Sequence, residues 1–335
     1  MTKVAVLGAG SWGTALANNI AANNVEVTIW SHRAEQAAEI NQKHTNAHYL
    51  PKAKLHEALK ATADMATAVN DADIVLMVVP TKAVRQVAQE LARLLDQRET
   101  PVVLAHATKG LESGTHKRIS QMIAEEIPAK DYSGLAVISG PSHAEDVVAH
   151  DLTAVSIGST DLAAAQALQK VLANDHFRPY TNDDLLGSEL GGALKNIIAI
   201  GSGILVGKGY GVNAQAALLT RGLVEMRRVG KAMGAQAETF LGLAGLGDLI
   251  VTGMSPNSRN YRAGRSLGQG QDLASVQADM GMVIEGVNTT QAVYDFAQKE
   301  GLAIPLTTAI YQVLYQGANI DSEIETLMTR PLKNE

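Results

Sequence analysis

At 335 residues the chain is long enough for two domains and a sizeable core. Its 46% hydrophobic and 19% charged content is that of a globular protein, and a net charge of -6 leaves no basic footprint for nucleic acid. The absence of cysteine excludes disulfides and thiolate chemistry and fits a reducing, cytoplasmic setting.

The chain opens on a short apolar run, Val4–Leu7, suited to a strand buried on both faces, so no signal peptide is expected. Gly8, Gly10 and Gly13 follow at G-x-G-x-x-G spacing, and from Thr14 to Ala22 the pattern turns helical. The order is that of a dinucleotide-binding turn. Gly8 allows the tight turn, Gly10 admits a pyrophosphate to the backbone, and Gly13 lets helix and strand pack closely. The helix start then offers free N–H groups to the anion. The motif lies between a strand and a helix, which is the context that gives it meaning.

The second strand is expected at Glu26–Trp30. An NAD-selective site carries an acid at the end of this strand, on the ribose 2′-hydroxyl. Here Ser31, His32 and Arg33 stand instead. Arg33 would attract a 2′-phosphate, which favours NADP or tolerance of both cofactors; a solvated surface charge is the plainer alternative. Residues 34–70 are polar and Ala-rich, with Asn41, His44, His48, Tyr49 and Pro51 in an expected loop. His44 and His48 lack the H-E-x-x-H arrangement, so no metal site is expected.

Asp73–Val79 reads as a central parallel strand, ended by Pro80 and followed by a helix to about Leu95. Val102–Ala105 and Leu135–Ser139 are the next strands, and Thr153–Gly158 and Arg178–Tyr180 the last. Lys109 stands at the carboxyl end of one strand, where open α/β sheets bind ligands. Gly140 and Ser142 stand at the end of another. Ser142 with Glu145 also fits a capping box, S-x-x-E. From Leu185 onward helical patterns fill the chain to about Arg330. The expected division is 1–185 and 186–335, with no repeat or long linker between.

Leu190–Val206 is apolar nearly all round and reads as a buried central helix, not a membrane span. Lys195 is the one charged residue between Glu189 and Lys208. Its helical neighbours Gly191, Gly192, Ala199 and Ser202 are small, which predicts a shallow trough open to a ligand. A purely structural lysine there would need a carboxylate, and the nearest in sequence is Glu189. An unpaired buried charge is costly, so a functional role is expected. Asp248, in a glycine-rich connection, either caps a helix or orients Lys195 or a substrate hydroxyl. Ser258 suits an N-cap, placing Arg259 and Asn260 in the first turn. Arginine is disfavoured there unless an anion is present, and phosphate fits best. Glu285 either complements a helix dipole or contacts a cofactor.

These motifs together resemble the bacterial NAD(P)-dependent glycerol-3-phosphate dehydrogenases. The residues that carry the likeness are GAGSWGTA at 8–15, ATKGL at 107–111, AVISGPSHA at 136–144, GGALKNIIAIGSGI at 191–204, GLAGLGDL at 242–249, NSRN at 257–260 and VIEG at 283–286. The resemblance implies an N-terminal Rossmann-type doubly wound parallel sheet and an all-α C-terminal domain, like 6-phosphogluconate dehydrogenase. It implies hydride transfer between NAD(P)H and dihydroxyacetone phosphate, giving sn-glycerol 3-phosphate for membrane lipid synthesis, by a cytoplasmic homodimer. By resemblance Ser11, Trp12, His32, Arg33, Lys109, Ala144, Arg259, Val283 and Glu285 contact the cofactor. Lys109, Gly140, Ser142, Lys195, Asp248, Ser258, Arg259 and Asn260 surround the substrate, and Lys195 is the catalytic residue. Its ammonium would stabilise the carbonyl oxygen and donate the proton. As base in the reverse direction it would need a pKa lowered from about 10.4, which apolar burial supplies. The competing readings are another two-domain dehydrogenase, of the 2-hydroxyacid or ketopantoate type, and a dinucleotide-sensing regulator without turnover.

Overall fold

A computed structural model describes residues 2–281, 283–332 and 334. The chain divides into two compact units. The first runs to Glu112 and resumes over Lys117–Glu189; the second takes Ser113–His116 and the chain from Leu190 on.

In the first unit strands and helices alternate: β1 (Lys3–Leu7), α1 (Ser11–Ala22), β2 (Glu26–Trp30), α2 (Ala34–Lys43), β3 (Lys60–Thr62), α3 (Met65–Val69), β4 (Ile74–Met77), α4 (Val84–Leu95), β5 (Val102–His106), α5 (Ile119–Glu126), β6 (Tyr132–Ser139), α6 (Ala144–Val148), β7 (Thr153–Ser159), α7 (Leu162–Leu172) and β8 (Phe177–Asn182). They form one sheet in the order β3-β2-β1-β4-β5-β6-β7-β8. The unbroken apolar runs of β1 and β4 follow from burial on both faces. Val4 and Val6 point into the same core as Ile74, Leu76 and Leu16. Ala5 and Leu7 alternate to the other face, against Val75, Met77 and Leu91.

Three sequence expectations need correction here. The first helix starts at Ser11, not Thr14, because Gly10 is already its N-cap. Residues 34–70 are not simply a loop: Asn41 lies inside α2, and β3 and α3 follow. The sheet is not wholly parallel, since β7 runs antiparallel to β6, with Ser139 opposite Ser156. The start of β7 therefore lies beside the carboxyl end of β6.

The second unit is helical: α8 (Leu185–Gly207, its first turn in the first unit), α9 (Val212–Ala232), α10 (Asp248–Met254), α11 (Arg259–Gly268), α12 (Leu273–Met280), α13 (Glu285–Glu300), α14 (Pro305–Gln316) and α15 (Ile320–Met328). By length and hydropathy α8 could cross a bilayer, but 83% of its most apolar window is buried within the protein. Its small residues serve helix contact. A Cβ on Gly203 would lie 2.1 Å from the Tyr261 carbonyl oxygen, and one on Gly264 of α11 would lie 2.0 Å from that of Ile200. Only glycine lets these two backbones approach so closely.

Candidate active site

The dinucleotide motif does what its spacing demands. Gly8 has a φ of +118°, and a Cβ there would meet the Val78 carbonyl oxygen at 2.4 Å. A Cβ on Gly13 would lie 1.9 Å from the Gly8 carbonyl oxygen, whereas the space around Gly10 is open. Among the described residues no side chain caps α1, and its first turn holds no acid. Its leading amides therefore keep an unmet need for an anion. Trp12 Nε1 is buried without a hydrogen-bond partner among the described residues. These features fit a dinucleotide's pyrophosphate and adjoining polar groups.

A buried polar network braces this turn, and sequence reasoning missed it. Gln36 Nε2 donates to the Ala9 carbonyl at 2.6 Å and to Asn46 Oδ1 at 3.0 Å. Asn46 Nδ2 donates to Ala9 at 3.0 Å and to Thr14 Oγ1 at 2.8 Å, and Ser31 Oγ donates to Gln36 Oε1 at 2.7 Å. Beside it lies a cavity of about 140 Å³ lined by Arg33, Glu35, Gln36, Glu39, Asn46 and His48. The Arg33 guanidinium sits 5.7 Å from the Tyr49 ring centroid, and the Tyr49 carbonyl accepts from Ser11 Oγ at 3.1 Å. His32 is exposed beside them. Glu39 accepts from the Ala47 amide and the Thr45 hydroxyl, which hold its carboxyl below the ordinary range.

At the carboxyl ends of β5 and β6, Lys109 Nζ donates to the Gly140 carbonyl at 3.1 Å, and Ser142 Oγ donates to the same oxygen at 3.0 Å. Gly140 takes a φ of +128°. Ser142 is not the cap of a capping box: α6 starts at Ala144 with His143 as N-cap, so Ser142 lies one position too early and turns to Gly140 instead. Ala144 is buried in the first turn of α6. His143 Nε2 is buried without a partner among the described residues, as is Ser139 Oγ at the end of β6.

In the second unit, Lys195 and Asp248 are 6% and 1% exposed. Lys195 Nζ donates to Asp248 Oδ1 at 2.6 Å and to Thr252 Oγ1 at 2.5 Å. The expectation of an unpaired amine is therefore overturned. Asp248 does not cap α10, whose N-cap is Gly247; it occupies the first helical position and aims at the lysine. Thr252 was missed, though its place one turn after Asp248 puts both on one face. Glu189 is not the lysine's partner. Its carboxylate takes the Ser120 amide and hydroxyl, each at 2.7 Å, and the Arg118 guanidinium. The expected trough is also filled at two of its positions. A Cβ on Gly191 would lie 2.2 Å from the Ala244 carbonyl oxygen, and Ser202 Oγ donates to the Gly253 carbonyl at 2.6 Å.

Ser258 caps α11 by accepting from the Tyr261 amide at 3.2 Å. Arg259 and Asn260 occupy the first turn, and Arg259 Nη1 donates to the Val283 carbonyl at 3.4 Å. Asn260 Nδ2 donates to Asn196 Oδ1, and its Oδ1 accepts from the Gly286 amide, both at 2.9 Å. That side chain ties α8, α11 and the start of α13 together. It brings Arg259, Val283 and Glu285 to one place.

A Gly-rich turn on a mostly parallel sheet, and a buried lysine–carboxylate pair on a helical unit, are parts that suit a nicotinamide-dependent dehydrogenase. Two family models match in order, the N-terminus of NAD-dependent glycerol-3-phosphate dehydrogenase over residues 3–165 and its C-terminus over 184–325. The chain is 65% identical over 335 residues to glycerol-3-phosphate dehydrogenase [NAD(P)+] of Leuconostoc mesenteroides, covering all of both chains. It is 66% identical over 335 residues to that of Leuconostoc citreum, covering 100% of this chain and 99% of the relative. The crystal structure of glycerol-3-phosphate dehydrogenase from Coxiella burnetii aligns with a TM-score of 0.89 at 38% identity, covering 98% of this chain and 99% of that one. The chain belongs to the NAD-dependent glycerol-3-phosphate dehydrogenase family.

Proposed function

We propose that the protein reversibly reduces dihydroxyacetone phosphate to sn-glycerol 3-phosphate, with Lys195 as the catalytic residue. The observation that carries the reading is the buried cluster of Lys195, Asp248 and Thr252 in a chain that matches this family from end to end. A nicotinamide cofactor held at the turn of residues 8–13 would supply the hydride. As charge grows on the ketone oxygen, the Lys195 ammonium stabilises it and transfers a proton, completing the alcohol. Asp248 and Thr252 hold the amine in place.

The α11 start offers the Arg259 and Asn260 amides to the phosphate, with the Arg259 guanidinium beside them and Ser258 as cap. Binding energy gathered there positions the reacting carbon. By family resemblance Lys109, Gly140 and Ser142 are also substrate-binding residues. Gly8, Gly10, Ser11, Trp12 and Gly13 take the pyrophosphate. His32 and Arg33 take the adenosine ribose, and Lys109, Ala144, Arg259, Val283 and Glu285 complete the cofactor contacts. NADPH is the preferred cofactor, read by Arg33 at the 2′-phosphate. Residues 1–185 act as the dinucleotide domain and 186–335 as the substrate domain. The working form is a cytoplasmic homodimer that feeds glycerophospholipid synthesis, with α8 as a core helix and no membrane insertion.

The test is a spectrophotometric assay with dihydroxyacetone phosphate, run with NADPH and then NADH. Turnover with a higher kcat/KM for NADPH is expected. No oxidation of either cofactor by this ketone would overturn the reading, and oxidation by ketopantoate alone would replace it.

A further inference from the structure

We propose that Glu189 is a positioning residue that fixes the loop carrying Lys109. This rests on the assignment of Lys109 to the substrate and cofactor contacts above. The loop leaves β5 at His106 and enters α5 at Ile119. Its near side is tied to the end of β4. The Ala107 amide donates to the Met77 carbonyl at 3.0 Å, and Thr108 Oγ1 donates to that of Val79 at 2.7 Å. Its far side folds back on itself, with Leu111 bridged to Arg118 and the Glu112 amide donating to the Lys117 carbonyl at 2.9 Å. Arg118 is thus the strut on which the far side of the Lys109 turn rests.

Glu189 holds that strut. Its carboxylate takes the Arg118 guanidinium, the Ser120 amide at 2.7 Å and the Ser120 hydroxyl at 2.7 Å. His106 Nε2, at the loop's other root, lies 3.2 Å from the same group. One buried carboxylate, set against the end of β5, therefore holds the start of α5 and caps that helix from outside. A buried carboxylate with no such partners would be costly, and these contacts are what make it tolerable. The Lys109 ammonium, donating to Gly140, depends on the loop holding its place, because a shift of about 1 Å at a positioning group can cost up to a hundredfold in rate.

The experiment is a double-mutant cycle on kcat/KM for dihydroxyacetone phosphate, using Glu189→Gln, Lys109→Ala and the double variant. The matched control is Glu225→Gln. Glu225 is also a buried carboxylate that takes the amides at a helix start, those of Leu306 and Thr307 in α14. The expected result is a loss of about tenfold for Glu189→Gln, no further loss when it is added to Lys109→Ala, and unchanged kcat/KM for Glu225→Gln. Additive losses, or an equal loss in Glu225→Gln, would overturn the proposal and leave Lys109 in its role. A silent Lys109→Ala would overturn both. If Glu189→Gln does not fold, Arg118→Gln takes its place in the same cycle with the same expected outcomes.

Discussion

Replacing Lys195 by methionine keeps most of the side-chain volume and deletes the charge. The structure sets the size of the consequence. At 2.6 Å from Asp248, in surroundings with an effective dielectric constant of about 20, the ion-pair attraction is about 6 kcal/mol before desolvation. Much of that offsets the cost of taking two charges out of water. Removing the lysine, however, takes away the cation that the buried Asp248 carboxylate faces, which costs about 3–5 kcal/mol. Lys195→Met is therefore expected to lower the melting temperature on the order of ten degrees. Turnover should fall by about 10²–10⁴ through loss of the proton donor, while NADPH binding by fluorescence titration stays intact. The companion variant Lys195→Met/Asp248→Asn separates the two effects. It neutralises the carboxylate as well, so stability in urea should largely return while turnover stays lost. Near-normal turnover in Lys195→Met would remove the amine from the chemistry. Turnover restored along with stability would mean the pair is structural only.

Arg259→Ala should raise the KM for dihydroxyacetone phosphate about ten- to a hundredfold with little change in kcat, as loss of a charge-assisted phosphate contact requires; an unchanged KM would reject the phosphate site at α11. Arg33→Asp should weaken NADPH more than NADH in paired titrations, and equal weakening would mean that Arg33 does not read the 2′-phosphate. The two buried glutamates should respond to pH in opposite senses. Burial alone would raise the Glu189 carboxyl, but His106, Arg118 and Ser120 outweigh it and hold the group below its ordinary value of 4.5. Its stabilising contribution is present above that value and is lost as pH falls through the lower folded-state value. Burial dominates at Glu225 and pushes it above 4.5, despite the amides of Leu306 and Thr307. Its contribution is present below 4.5 and is lost as pH rises through the folded-state value. Urea unfolding of the wild type, Glu189→Gln and Glu225→Gln across this range measures both; parallel pH profiles for all three would refute the assignment.

Much of the architecture was legible because it depends on local rules. The apolar runs at Val4–Leu7 and Ile74–Met77 are strands whatever lies beyond them. The spacing of Gly8, Gly10 and Gly13 encodes a turn that leaves no room for a Cβ at the first and third positions. Ser258 before Arg259 is a cap that sequence spacing identifies, and its hydroxyl oxygen accepts from the Tyr261 amide. The short pieces fared worse. The helix at Ala34–Lys43 was hidden because its Ala and polar residues form only a weak apolar stripe, and α6 starts after His143 where the Ser142–Glu145 spacing points to an earlier cap.

What sequence alone determined, then, was the alternation of elements, the dinucleotide turn, and the identity of the residues that bear charge. Which charges meet was decided only by the folded chain. Lys195 finds Asp248 across 53 positions, while Glu189, six residues from the lysine on the same helix, turns to Arg118 and Ser120. Nearness in sequence does not set such pairing, because side chains six apart on a helix project about 120° from the same meridian. Each buried charge is matched by whatever donor or acceptor the packed neighbouring elements present to its own face.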